Sequence, residues 1–147
     1  MADAGAEARI RSQADLQHYL DCFNAKQYAG QCAYYAPDVV YKVGDLTLTS
    51  PQAIADFYAD FHRYCDEYVE FADFLLDGDK CALSLPSYFR PFRDYEKHGL
   101  SFKVGEPREL VSFIIYTLKD GKIWRIRVAR YPGPVGDFDP KGPPWKA

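Results

Sequence analysis

The chain of 147 residues falls within the roughly 100 to 200 residues of one domain, a size that buries about two thirds of its unfolded surface. Its 18 Lys and Arg against 21 Asp and Glu give a formal net charge of -3, which excludes bulk electrostatic attraction to nucleic acid or an anionic membrane. With 48% hydrophobic and 27% charged residues, and no run near the roughly 18 apolar residues that cross a bilayer, disordered, fibrous and membrane-spanning classes are excluded as well.

The segment 1–11 is polar and Ala-rich, lacks the apolar stretch of a secretory signal, and is expected to be flexible. Ser12 followed by Asp15 forms a loose capping box. Leu16, Tyr19, Leu20 and Phe23 then recur at helical spacing, which predicts a first helix ending near Asn24. A short second helix over 27–35 meets Pro37, which blocks continuation, and Val39, Val40 and Tyr41 begin a β-branched strand that turns at Gly44-Asp45. Ser50 as N-cap and Pro51 at the first helical position start a third helix over 51–67. Its apolar stripe is Ile54, Phe57, Tyr58, Phe61, Tyr64, Cys65 and Tyr68. Strands follow over 68–76, 80–89, 109–118 and 122–130, the first and last pairs joined at Asp77-Gly78-Asp79 and Lys119-Asp120-Gly121. The pattern breaks over 90–105, where Arg90, Arg93, Asp94, Tyr95, Glu96 and His98 cluster in a lid or a solvated hairpin tip. The domain therefore spans 12–131 and a Pro/Gly-rich tail spans 132–147. Three helices leading into about four long antiparallel strands predict an α+β fold, with the helices packed on one face of a curved sheet.

Twelve Tyr, ten Phe and two Trp supply rings to fill a core or line a pocket. Cys22, Cys32, Cys65 and Cys81 fall at irregular spacings and read as reduced thiols, so a cytoplasmic location is expected. His18 with Cys22 and His62 with Cys65 each share a helix face at ligand-compatible spacing. Buried thiols and helix-face histidines arise readily without metal, and none is expected. No Walker loop, Gly-rich dinucleotide loop or nucleophile-elbow serine appears.

Several runs carry a family resemblance: YLDCFNAKQY at 19–28, YAPDVVY at 35–41, SPQAIADFY at 50–58, LLDGDK at 75–80 and LKDGKI at 118–123. Over 12–131 the chain resembles the SnoaL-like branch of the NTF2-like superfamily. That resemblance implies a cone-shaped α+β barrel with a mostly antiparallel sheet, a ligand held between the first and third helices and the concave sheet, and a homodimer through the outer sheet face. It implies no cofactor and no metal. The superfamily includes polyketide cyclases, dehydratases, ketosteroid isomerase-like and limonene epoxide hydrolase-like enzymes, and binding modules, so the fold leaves the activity open. Tyr19 is similar to the first-helix tyrosine that isomerase-like members use as an oxyanion donor. Lys42, Val43 and Gly44 stand where those members end their first strand with an aspartate base, and Phe23 and Asn24 stand where dehydratases carry a reactive Tyr-Asp pair.

Within such a cone, an acid isolated on an apolar strand face would serve as general acid or base. Glu70 shares a side with Tyr68, Ala72, Phe74 and Leu76, while Asp73 shares the other with Val69, Phe71 and Leu75. Glu70 is the favoured catalytic acid, the alternative being an outer-face carboxylate paired with Lys or Arg. Ser112 and Tyr116 share a strand face, and the Tyr116 hydroxyl is a candidate donor to a developing oxyanion or else a core phenol. Arg127 is a candidate substrate clamp, with a solvated or dimer surface as its alternative. Asp94 with Arg90 or Arg93 resembles the Asp-Arg-Asp set of limonene epoxide hydrolase-like enzymes. The catalytic expectations are thus Glu70, Tyr19, Tyr116 and Asp94, and the substrate-binding expectations are Phe23, Phe57, Phe61, Tyr68, Ser112, Arg127 and His98. The expected ligand is a small hydrophobic or aromatic metabolite, polyketide- or terpenoid-like, undergoing cyclisation, isomerisation or dehydration. Epoxide hydrolysis and a noncatalytic module presenting Tyr58, Tyr64 and Tyr68 are the alternatives; neither nucleic acid nor a membrane is an expected partner.

Overall fold

The computed structural model describes residues 8–133 and 140–145. Helix α1 (Gln13–Asn24) begins at Ser12, whose Oγ accepts the Asp15 amide at 3.3 Å, while the Asp15 carboxylate accepts the Arg11 amide at 2.8 Å. One face of α1 buries Leu16, Tyr19, Leu20, Cys22 and Phe23. Helix α2 (Tyr28–Cys32) is a single turn packed against it, and Gly30 permits this approach, since a Cβ there would stand 2.9 Å from Cys22 Sγ. Helix α3 (Pro51–Phe61) starts as its signals predict, with Ser50 Oγ accepting the Ala53 amide at 3.1 Å.

The helix expected over 51–67 stops at Phe61, which corrects the sequence reading. His62, Arg63 and Tyr64 close a turn, and 65–69 pair antiparallel with the strand Lys80–Pro91, from Cys65 opposite Pro91 to Val69 opposite Ser87. The aromatic spacing suits a helix locally, but five ladder pairs beside a buried sheet outweigh that propensity.

The strands are β1 (Tyr35–Val43), β2 (Leu46–Leu48), β3 (Cys65–Val69), β4 (Asp73–Asp77), β5 (Lys80–Pro91), β6 (Tyr95–Lys97), β7 (Leu100–Phe102), β8 (Arg108–Lys119) and β9 (Lys122–Pro132). A seven-stranded sheet runs β2-β1-β9-β8-β5-β3, with β4 also pairing β5. Only β1 against β9 is parallel among the pairings of this sheet described here. The strand expected over 68–76 is thus two, β3 and β4, separated where the Glu70 and Ala72 amides bond to Pro86 O and Ser84 O. Helices on one side of a curled mixed sheet make the NTF2-like cone, as expected.

The break over 90–105 is a short β6-β7 hairpin that buries Tyr95 and Phe102 against Phe61. Gly44 anchors it. The residue has φ 58°, and a Cβ there would stand 1.8 Å from the His98 carbonyl oxygen, which also accepts the Asp45 amide at 3.1 Å.

Residues 8–11, assigned above to the flexible N-terminus, are held in place. Ile10 is buried, its amide bonds to Gly121 O at 2.8 Å, and Arg9 bonds to the Asp120 carbonyl. Residues 1–7 of that segment lie outside the described residues, as do 134–139 and 146–147 of the tail. The described part of the tail lies over the outer side of the sheet, with Trp145 under the Arg90 guanidinium at 4.9 Å. All four cysteines are free thiols, and among the described residues no helix is long and apolar enough to cross a membrane.

Candidate active site

Alternation along the strands decides what faces the concavity. Glu67 and Val69 of β3, Leu85, Ser87 and Phe89 of β5, Leu110, Ser112, Ile114 and Tyr116 of β8, and Ile126, Val128 and Arg130 of β9 all line a cavity of about 260 Å³. Helices α1 and α3 close it with Tyr19, Phe23, Phe57, Tyr58 and Phe61, and the β6-β7 hairpin adds Leu100 and Phe102. The walls are mainly apolar and aromatic, with a few converging polar groups, as small-molecule sites are.

Besides Ser87, Ser101, Ser112, Arg108 and Arg130, two hydrogen-bonded sets of polar groups reach the cavity. In the first, Tyr19 Oη and Tyr35 Oη lie 2.6 Å apart, Gln31 Nε2 donates to Tyr35 Oη at 2.9 Å, and the Tyr116 ring meets Tyr19 edge-on at 6.3 Å. Close by, Tyr41 Oη and Tyr58 Oη lie 3.1 Å apart. Burial, and after it mostly the charges of neighbouring phenols, hold Tyr19, Tyr35, Tyr58 and Tyr116 protonated well above the usual tyrosine range, and burial raises Tyr41 too. They are therefore neutral O–H donors at neutral pH.

In the second set, Glu67 Oε1 lies 3.0 Å from His62 Nε2, and His62 Nδ1 lies 2.7 Å from Tyr28 Oη. Both members of the His62-Glu67 pair are nearly closed to water, with side chains 3% and 9% exposed. A neutral imidazole satisfies both contacts, with Nε2–H donating to the carboxylate and Nδ1 accepting from Tyr28. The ring is wedged against Phe23, Tyr28 and Tyr58, so the carboxylate is held in one orientation toward the cavity.

The phenols give a pH prediction. An unfolded chain ionises its tyrosines near 10.0, whereas these stay protonated in the fold. Their contribution is therefore complete below that pH and lost as pH rises past it. Melting temperature should fall steeply above about pH 10, with tyrosinate absorbance from these residues appearing only as the protein unfolds. Full ionisation of all twelve tyrosines near pH 10 in the folded protein would contradict this.

Of the residues singled out from sequence, Tyr19, Tyr116, Phe23, Phe57, Phe61 and Ser112 meet in the cavity. Glu70 does not. Lying beyond β3 on the outer parity, its carboxylate accepts the Lys141 and Gly142 amides at 2.7 and 3.1 Å and pins the tail. Tyr68 is also outward, beside Tyr88 at 6.3 Å. Asp94 is exposed and accepts the Val104 amide at 2.9 Å, structuring the hairpin loop, and Arg90 pairs instead with Asp66. Arg127 faces outward while Arg130, three residues on, reaches the cavity. His98 stands beside the lining residue Gly99 with its ring turned to Asp45, 3.8 Å away. Tyr58, Tyr64 and Tyr68 make no common surface, because Tyr58 lines the cavity and Tyr64 packs on Tyr95.

Glu67 is the acid that the sequence pattern hides, because a helix expected over 51–67 ends on it. The alternation of Cys65, Glu67 and Val69 was the available signal. Gln31 and the pairing of His62 with Glu67 had none, since both rest on contacts across the fold. His18 bonds Tyr34 Oη at 2.7 Å, and its Nε2 stands 3.8 Å from Cys22 Sγ. Among the described residues no three His, Cys, Asp or Glu side chains gather as a metal site would require.

Similar solved structures include an M. tuberculosis LEH-like epoxide hydrolase at TM-score 0.62 and 13% identity, covering 79% of each chain. A protein of Silicibacter sp. TM1040, assigned provisionally as a polyketide cyclase, aligns at 0.64 and 21%, covering 79% of this chain and 85% of that one. A Catenulispora acidiphila protein with a ketosteroid isomerase-like fold, complexed with trimethylamine, aligns at 0.64 and 10%, covering 78% and 82%. At these identities the likeness speaks for the fold. No curated protein matches the chain. The SnoaL-like domain matches residues 16–126, and with the cone and its cavity in place the chain belongs to the SnoaL-like family of the NTF2-like superfamily.

Proposed function

We propose that the protein is a cofactor-independent enzyme that moves a proton on a small, largely apolar carbonyl compound of polyketide- or terpenoid-like character, leading to cyclisation, isomerisation or dehydration. One observation carries this: a single fixed carboxylate, Glu67, opens into an apolar cavity that also holds buried neutral phenols. Glu67 takes a proton from carbon beside the carbonyl, and His62 positions it. Tyr19 and Tyr35 share one hydrogen bond at 2.6 Å, so one of their two O–H groups, together with that of Tyr116, is left to donate to the enolate oxygen. Family membership and the kinds of enzyme sharing the fold support the general class.

The test is proton exchange at the α-carbon of cyclic ketones such as 2-tetralone in deuterated water, followed by NMR with wild type and Glu67→Gln. Catalysed exchange that disappears in the variant is expected. Exchange equal in both removes Glu67 from the mechanism, and tight binding without exchange favours a binding module. If an epoxide is opened instead, with labelled solvent oxygen entering the product, the protein is a hydrolase of the epoxide type.

We also propose the homodimer expected from sequence. Leu75, Phe113 and Ile115 are 70%, 43% and 41% exposed on the outer face, in a groove also bordered by Asp73 and Arg127. A second copy related by a two-fold axis covers this strip and brings the opposite charges together. Light scattering at micromolar concentration should give the dimer mass, lost in Ile115→Asp; a wild-type monomer overturns it.

A further inference from the structure

Gln31 sits where a buried amide is hardest to explain by packing alone. It lies at the end of α2, is 0% exposed, and lines the cavity. Its backbone is satisfied, the amide donating to Gln27 O at 3.0 Å and the carbonyl accepting the Tyr34 amide at 3.1 Å. Its side-chain Nε2 donates to Tyr35 Oη at 2.9 Å. Its Oε1 has no partner, and among the described residues no other buried side-chain nitrogen or oxygen shares that condition. Turning the amide over would not relieve the deficit: Tyr35 would then donate to Oε1, and both N–H donors would be left unpaired in place of one acceptor and one N–H.

A buried carbonyl left without a donor destabilises the fold, and a Leu or Met would fill the same space without that cost. The acceptor is therefore left for something that enters the cavity. What it requires is a donor. A ketone oxygen cannot supply one, and the neighbouring phenol donors already serve such an oxygen. A ligand that satisfies both ends carries a carbonyl for the phenols and, separately, a hydroxyl whose O–H donates to Gln31 Oε1.

We propose that Gln31 is a specificity-determining residue that selects hydroxylated ketones, its side-chain carbonyl accepting a hydrogen bond from a ligand hydroxyl distinct from the reacting carbonyl. The inference rests on reading the cavity as a ketone site, and its test is a ratio of affinities that needs no turnover. Gln31 touches the ligand's hydroxyl and takes no part in the proton transfer. Selection arises because a ligand lacking the hydroxyl leaves the buried acceptor unpaired, a larger discrimination than lost apolar area alone provides.

Dissociation constants would be measured by titration calorimetry for 2-tetralone, its ring-monohydroxylated isomers and their methyl ethers, against wild type, Gln31→Leu and Gln31→Met. For wild type, at least one hydroxylated isomer should bind more tightly than 2-tetralone by about tenfold or more, and its methyl ether should lose the gain. In either variant the ratio of hydroxylated to parent ketone should fall to about one. No gain for any isomer in wild type overturns the proposal, and this arm stands even if both variants misfold. A gain that the methyl ether keeps, or that persists in Gln31→Leu or Gln31→Met, overturns it equally. Binding of the ketones with a normal hydroxyl gain but no Glu67-dependent exchange would leave Gln31 selective and remove only the proposed chemistry.

Discussion

Replacing Glu67 by Gln should slow α-proton exchange of a bound ketone by roughly 10²–10⁴-fold, the usual contribution of a positioned general base. The substitution keeps the size of the side chain and its ability to accept from His62 Nε2, 3.0 Å away, so the melting temperature should change little and the loss reports chemistry. His62→Gln separates two roles for the imidazole. If His62 only positions Glu67, exchange should drop less than in Glu67→Gln and keep the wild-type pH profile in shape. If the profile instead changes shape, the imidazole itself carries the proton. Full exchange in Glu67→Gln would return the base to another group and remove the reading of β3 as the catalytic strand.

Gly44→Ala should be among the most destabilising single-methyl changes in the chain, costing roughly 2–4 kcal/mol in urea denaturation. Two effects combine. Gly44 has φ 58°, where any side chain is strained, and its added Cβ would stand 1.8 Å from the His98 carbonyl oxygen. That oxygen belongs to the β6-β7 turn, so the clash pushes away the hairpin that carries Leu100 and Phe102 into the cavity wall. Gly78→Ala is the control, since its φ of 57° is nearly the same but nothing lies within 4 Å of the new Cβ. It should cost only the backbone strain, about 1–2 kcal/mol. Equal losses at the two sites would mean that the contact with the hairpin contributes nothing. In Gly44→Ala the affinity for cavity ligands should fall along with stability, whereas Gly78→Ala should bind as wild type does.

The elements whose signals are local were legible in the sequence. Ser12 and Ser50 cap the helices they were expected to cap, and the Asp-Gly turns join the strands they were expected to join, because caps and tight turns depend on residues within four of each other. Strand alternation likewise put Ser112 and Tyr116 on one face and Arg127 opposite Ile126 and Val128. Non-local pairing decided the rest. Where α3 ends was settled by the ladder between β3 and β5, which brings Glu67 to the cavity, while the parity of β3, with Val69 inward, turns Tyr68 and Glu70 outward. Glu70 keeps a carboxylate's need for donors, but the donors are the Lys141 and Gly142 amides, 71 and 72 residues distant along the chain, and no periodicity encodes such a meeting. Short-range propensity and pattern were enough for the family, the helix starts, the tight turns and the aromatic wall. Which carboxylate the cavity holds, that His62 steadies it, and that Gln31 keeps a carbonyl unpaired inside all depend on which side chains the closed sheet removes from water together, and that is set by contacts between distant segments.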